Sequence, residues 1–115
     1  MGPNAVLGVV NIVSALIIIA VCIPLVQGRI KMNHWYGIRI KKSFTSEKNW
    51  YALNAYGSRQ LIVWSLPLLV VGLLCFFIPI DEHGQDLLPL ILGVVPIFVS
   101  LTIAIIRILV YSRKL

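Results

Sequence analysis

The chain has 115 residues, of which 59% are hydrophobic and 12% are charged, and its formal net charge is +6. Because soluble domains carry charge on roughly a quarter of their residues, this composition excludes an ordinary soluble protein. The positive charge does not indicate nucleic-acid binding, because the basic residues are concentrated between apolar stretches, as in cytoplasmic loops of membrane proteins.

Three stretches of the sequence contain no charged residue, at residues 1–28, 60–80 and 87–106. Each can supply the run of about 20 apolar residues that a helix needs to cross a hydrocarbon core ~30 Å thick. A soluble protein of this size could not bury three such helices on all sides. We therefore predict an all-α integral membrane protein, folded as one membrane domain over residues 1–115. The predicted spans lie at about residues 5–27, 60–80 and 87–111.

Asn11 is the only strongly polar side chain well inside the first span. Polar side chains at membrane depth are usually hydrogen-bonded to a neighbouring helix, and less often contact a substrate. We expect the hydrogen bond to a neighbouring helix at this position.

The basic segment, residues 28–59, follows the first span and contains seven of the ten Lys and Arg residues but only one acid, Glu47. Its basic residues are Arg29, Lys31, Arg39, Lys41, Lys42, Lys48 and Arg59. Its first part lacks a helical period and is predicted to be a loop or a short extended pair at the level of the lipid headgroups.

The second part of the basic segment reads as a helix. Trp50, Leu53, Asn54 and Gly57 lie on one helical face by their spacing of three and four residues. This pattern predicts a short amphipathic cytoplasmic helix, which could also continue into the second span with a bend at Gly57.

The distribution of charge between the loops predicts the orientation in the plasma membrane. Residues 81–86 contain three acids and no Lys or Arg, whereas the basic segment and the C-terminal residues are basic. Since Lys and Arg accumulate in cytoplasmic loops, we expect the N-terminus outside and the C-terminus in the cytoplasm.

The acids and the histidine of residues 81–86 are more typical of a solvated turn than of a cation site, so we expect no metal and no cofactor.

Residues that could carry catalysis are sparse. Glu47 has no second carboxylate near it in the basic segment, and no phosphate-binding glycine motif, zinc spacing or nucleophilic triad is visible. Arg39 is the most informative single residue, because a guanidinium can hold a carboxylate or phosphate through two hydrogen bonds. A role as an anchor for lipid headgroups remains the alternative.

The residues around Arg39 resemble the signature of the SdpI family, which are membrane immunity proteins against a secreted killing factor. The signature associated with that family is an Asn shortly before G-x-R-T, a later Trp, and N-x-x-G beyond it. The matching positions are Asn33, Gly37, Arg39, Trp50, Asn54 and Gly57. Ile40 and Lys41 depart from the pattern, since they stand where Thr-Pro is expected. The three-span layout also resembles the C-terminal domain of the family.

The resemblance implies toxin immunity, in some members joined to signalling by holding a transcriptional regulator at the membrane. The leading hypothesis is a non-enzymatic immunity or receptor-type protein that binds a peptide toxin or a regulator through the six matching residues, with no direct contact to nucleic acid. Two alternatives stay open. One is a small transporter or channel formed by a homo-oligomer, and the other is a membrane enzyme that acts on lipid or phosphate groups.

Overall fold

The computed structural model describes residues 2–78 and 88–115. It contains α1 (Pro3–Val26), a 3₁₀ helix (Lys41–Phe44), α2 (Glu47–Cys75) and α3 (Leu88–Ser112). All three α-helices are long and apolar enough to cross a membrane, and the described residues form no strand. These findings confirm the prediction of an all-α protein with three membrane-spanning helices. The predicted acidic turn at residues 81–86 lies outside the described residues.

The helices present an apolar outer surface, as expected for a bundle that is surrounded by lipid. Large aliphatic and aromatic side chains remain exposed on every helix, for example Ile17 on α1, Val70 on α2 and Phe98 on α3. In a soluble protein such a surface would favour aggregation or docking to a partner, whereas in a bilayer it contacts acyl chains.

Small residues allow α1 and α2 to approach each other at the level of the backbone. A Cβ atom added at Gly8 would lie 2.8 Å from the carbonyl oxygen of Gly72, and one added at Gly72 would lie 2.9 Å from the carbonyl oxygen of Gly8. Because lipid supplies no hydrophobic force between helices, close packing of this kind is a main source of stability in membrane bundles. α2 packs against both other helices and forms the centre of the bundle.

Asn11 links α1 to α3 inside the bundle. Its side chain is fully buried, and its Nδ2 donates to the carbonyl oxygens of Leu7 at 2.9 Å and Leu92 at 3.1 Å. The expected hydrogen bond to a neighbouring helix is therefore confirmed.

The structure does not confirm a separate amphipathic helix on the cytoplasmic surface. α2 begins at Glu47, capped by Ser46, whose Oγ accepts from the backbone N–H of Asn49 at 3.0 Å, and it continues without interruption to Cys75. The polar turns after Glu47 therefore belong to the same helix as the second span. The helical face that carries Trp50, Asn54 and Gly57 is buried inside the protein and does not lie on a membrane surface. The helix therefore continues through Gly57.

Candidate functional site

The docked loop, residues 27–46, connects α1 to α2 and folds back onto the first turns of α2. Asn33 organises its first half, because its Oδ1 accepts the backbone N–H groups of Trp35 at 3.0 Å and Tyr36 at 2.6 Å. The Nδ2 of Asn33 also donates to the carbonyl oxygen of Lys31 at 2.7 Å. An Asn side chain that bonds nearby backbone groups in this way fixes a turn without help from a helix or a sheet.

Gly37 and Asn54 join the docked loop to α2. The Oδ1 of Asn54 accepts the backbone N–H of Ile38 at 2.6 Å, and its Nδ2 donates to the carbonyl oxygen of Trp50 at 2.9 Å. Asn54 is almost completely buried, so these bonds replace contacts with water. Breaking them would leave buried polar groups without partners and would destabilise the protein.

Both the backbone conformation at position 37 and its close contact with α2 require a glycine there. Gly37 has a φ of +125°, a conformation that other residues adopt only with strain. A Cβ atom there would lie 2.8 Å from Oδ1 of Asn54 and 3.0 Å from Cη2 of Trp50. The absence of a side chain therefore lets the loop backbone lie directly on α2.

Trp50 forms the centre of this arrangement. Its side chain is fully buried, and its Nε1–H donates to the carbonyl oxygen of Ile30 at 2.9 Å. Its ring lies 5.8 Å from that of Phe44, which in turn stacks on His34 at 5.1 Å between centroids. One tryptophan thus connects the start of the docked loop, its end and α2.

Gly57 lies where the docked loop, α2 and α3 meet. A Cβ atom at this position would collide with the side chain of Ile38 and would lie 3.2 Å from the side chain of Ile108. The glycine predicted as a bend is therefore a packing position that lets loop and helix approach closely.

Arg39 is placed differently from the other five predicted residues. Its side chain is exposed, and its guanidinium donates to the backbone carbonyl of His34. This bond closes the turn around Gly37 and keeps the guanidinium at the surface. Asn33, Gly37, Trp50, Asn54 and Gly57 thus build and dock the loop, and Arg39 is the one of the six with a charged group accessible from outside.

Two features of the site were not predicted from the sequence. Ser43 is fully buried, and its Oγ donates to the carbonyl oxygen of Ile38 at 2.7 Å and accepts from the N–H of Ile40 at 3.3 Å. Trp35, in contrast, is 81% exposed, and the mixture of cations and aromatic residues around it was the signal that could have identified it.

Trp35 borders a shallow groove of about 430 Å³ on the docked loop. The groove is lined by Arg29, Ile30, Lys31, Met32, Asn33, Trp35 and Tyr36. The described residues contain no group of three or more His, Cys, Asp or Glu side chains that could hold a metal ion. What the loop does present is a fixed set of cationic, aromatic and apolar groups, and such surfaces are suited to recognition.

Comparison with known proteins assigns the chain to a family. No curated protein and no solved structure matches it significantly. A family model described as the SdpI/YfhL protein family matches residues 29–112. The matched region includes nearly all of the docked loop, all of α2 and all of α3, and it is well over half of the chain. The chain therefore belongs to the SdpI/YfhL protein family, in agreement with the resemblance of its loop residues.

Proposed function

We propose that this protein is a non-enzymatic membrane immunity protein whose docked loop recognises a peptide toxin or a protein regulator. Membership of the SdpI/YfhL family supports a membrane protein of the immunity type. The finer proposal, recognition by the loop, is supported by the way in which the loop is held.

The observation that carries the proposal is the attachment of the docked loop to α2 by Asn54 and Trp50. The loop is fixed by bonds from buried side chains to its backbone at Ile38 and Ile30. A loop that is already ordered loses little conformational entropy when a partner binds. Among the predicted residues Arg39 is exposed on this loop, and we assign to it the direct contact with a carboxylate of the partner.

We expect Arg39→Lys to reduce protection against a killing factor roughly tenfold or more while leaving the folded protein intact. Lys retains the charge but cannot reproduce the planar fork that holds a carboxylate through two bonds. Since Arg39 is exposed, thermal unfolding in mild detergent should change little. The measurement is survival of cells that express the variant, over a range of concentrations of the killing factor.

Lys41→Arg and Lys42→Arg are the matched controls, because they exchange one cation for another elsewhere in the same loop. Both should protect as well as the unchanged protein. Full protection by Arg39→Lys would remove Arg39 from the site and leave it as a headgroup anchor. Ion flux in liposomes or turnover of lipid by the purified protein would contradict the proposal of a non-enzymatic immunity protein.

We also propose that the docked loop faces the cytoplasm, on the basis of the charge asymmetry between the loops. A cysteine at Lys48, which is exposed on the first turn of α2, should react with a membrane-impermeant maleimide only after cells are permeabilised. Gly84→Cys, in the acidic segment outside the described residues, should react in intact cells. Ser43 would be a poor labelling site because it is buried.

The background for this experiment should lack Cys22 and Cys75. Both native cysteines are buried, so Cys22→Ala and Cys75→Ala remove the residual signal at two small packing positions. Labelling of Lys48→Cys in intact cells, together with protection of Gly84→Cys, would reverse the orientation.

A further inference from the structure

A cleft separates the 3₁₀ helix of the docked loop from the C-terminal end of α3. Its volume is about 540 Å³. It is lined by Ile40, Lys41, Lys42, Thr45, Leu109 and Ser112. The two walls come from segments far apart in the sequence, so the cleft exists only in the folded protein.

The loop wall of the cleft is positively charged. Lys41 is exposed and Lys42 is half-buried, and both belong to the first turn of the 3₁₀ helix. Glu47 is the only side-chain carboxylate among the described residues, whereas all ten Lys and Arg residues of the chain are described. The cleft therefore favours an anionic ligand.

The hydroxyl groups of the cleft are already engaged in the protein. Thr45 Oγ1 donates to the carbonyl oxygen of Lys42, and Ser112 Oγ donates to the carbonyl oxygen of Leu109, each at 2.7 Å. The ammonium groups of Lys41 and Lys42 are therefore the side-chain donors that remain for a ligand.

The α3 wall of the cleft is apolar and continues toward the middle of the helix. Leu109 is 44% exposed, one turn before the end of α3 at Ser112. Ile105 lies four residues earlier on the same face and is 52% exposed. A ligand bound at the lysines would thus have an apolar track leading from the headgroup level into the hydrocarbon.

We propose that this cleft binds one anionic phospholipid, with the phosphate between Lys41 and Lys42 and an acyl chain along Leu109 and Ile105. A basic pocket beside a membrane helix is a known mode of recognition of anionic headgroups. The apolar track distinguishes a lipid from free phosphate, which would gain nothing from Leu109. This inference does not rest on the proposed immunity function, because it concerns a different ligand and residues of the docked loop other than Arg39.

Native mass spectrometry of the full chain in neutral detergent tests the proposal with phosphatidylglycerol and phosphatidylcholine as probes. We expect the unchanged protein to retain one phosphatidylglycerol in preference to phosphatidylcholine. Lys41→Gln combined with Lys42→Gln should weaken binding of phosphatidylglycerol roughly twentyfold or more, given what each basic residue contributes near an anionic lipid. Soluble glycerol phosphate should fail to displace the lipid, because it lacks the acyl chain.

Arg29→Gln combined with Lys31→Gln is the matched control, since it removes the same charge from the same loop but outside the cleft. It should keep the binding of phosphatidylglycerol. Equal loss in both double variants would show general attraction to the basic loop and would overturn the site, as would equal retention of the two lipids or displacement by glycerol phosphate.

Leu109→Glu gives a second test that leaves the loop unchanged. It places a carboxylate on the opposite wall, at an exposed position that should tolerate it in detergent. We expect it to abolish the preference for phosphatidylglycerol, and binding equal to that of the unchanged protein would overturn the proposal.

Discussion

Replacing Trp50 by Ala should destabilise the protein by about 3–5 kcal/mol, the usual cost of deleting a large buried aromatic side chain. Trp50 is fully buried, packs beside Phe44 and donates to the carbonyl oxygen of Ile30. Its loss would leave a cavity between the docked loop and α2, together with a carbonyl group deprived of its partner. Reversible unfolding in mixed micelles of mild and denaturing detergent would measure the change in the free energy of unfolding.

Two further tryptophan variants separate the contribution of ring packing to stability from that of the hydrogen bond. Trp50→Phe keeps much of the ring packing and removes the N–H donor, so it should cost less than Trp50→Ala, about 1–3 kcal/mol. Trp35→Ala removes a tryptophan that is 81% exposed and should change stability by less than about 0.5 kcal/mol. Equal effects of Trp50→Ala and Trp35→Ala would contradict the central role of Trp50 in docking the loop.

Gly37→Ala should be destabilising by about 2–6 kcal/mol, from two causes that act together. A non-glycine residue at a φ of +125° carries backbone strain of about 1–3 kcal/mol. The new methyl group would also lie 2.8 Å from Oδ1 of Asn54, and forcing an extra group into a packed site typically costs a further 1–3 kcal/mol or so. The same unfolding measurement applies, and protection against a killing factor should fall with it.

Gly28→Ala is the matched control for the effect of space. Gly28 also has a positive φ, +70°, but a Cβ atom there would meet nothing within 4 Å. Gly28→Ala should therefore lower the free energy of unfolding by about 1–2 kcal/mol, the strain of a left-handed conformation alone. If the two glycine variants were equally stable, close contact between position 37 and α2 would not matter to the fold.

Asn54 illustrates how far the sequence could predict the site. The spacing from Trp50 placed both residues on one helical face, which is correct, because they do lie together at the start of α2. The same spacing could not show that the face is covered by the docked loop. That depends on the Asn54 bond to the N–H of Ile38, a contact between residues that only the turn at Gly37 brings together.

For Arg39 too, the sequence identified the residue but not its surroundings. The resemblance to the family signature placed Arg39 among six candidate residues, and the structure places its guanidinium beside the turn around Gly37. The structure shows that the Arg39 side chain is exposed and that its guanidinium is bonded to the backbone carbonyl of His34. Exposure depends on what the rest of the chain covers, and a local pattern does not contain that information.

The sequence by itself determined the number of membrane-spanning helices and the family. Crossing a hydrocarbon core requires about 20 apolar residues in succession, a property that can be read from one stretch at a time. Tertiary structure alone decided that the polar turns after Glu47 continue as α2. It also decided that five of the six residues matching the family signature build and dock a loop, and that Lys41 and Leu109 border one cleft. The physical reason is that each of these features depends on contacts between segments distant in the chain, where burial and hydrogen bonding of one segment are set by the other.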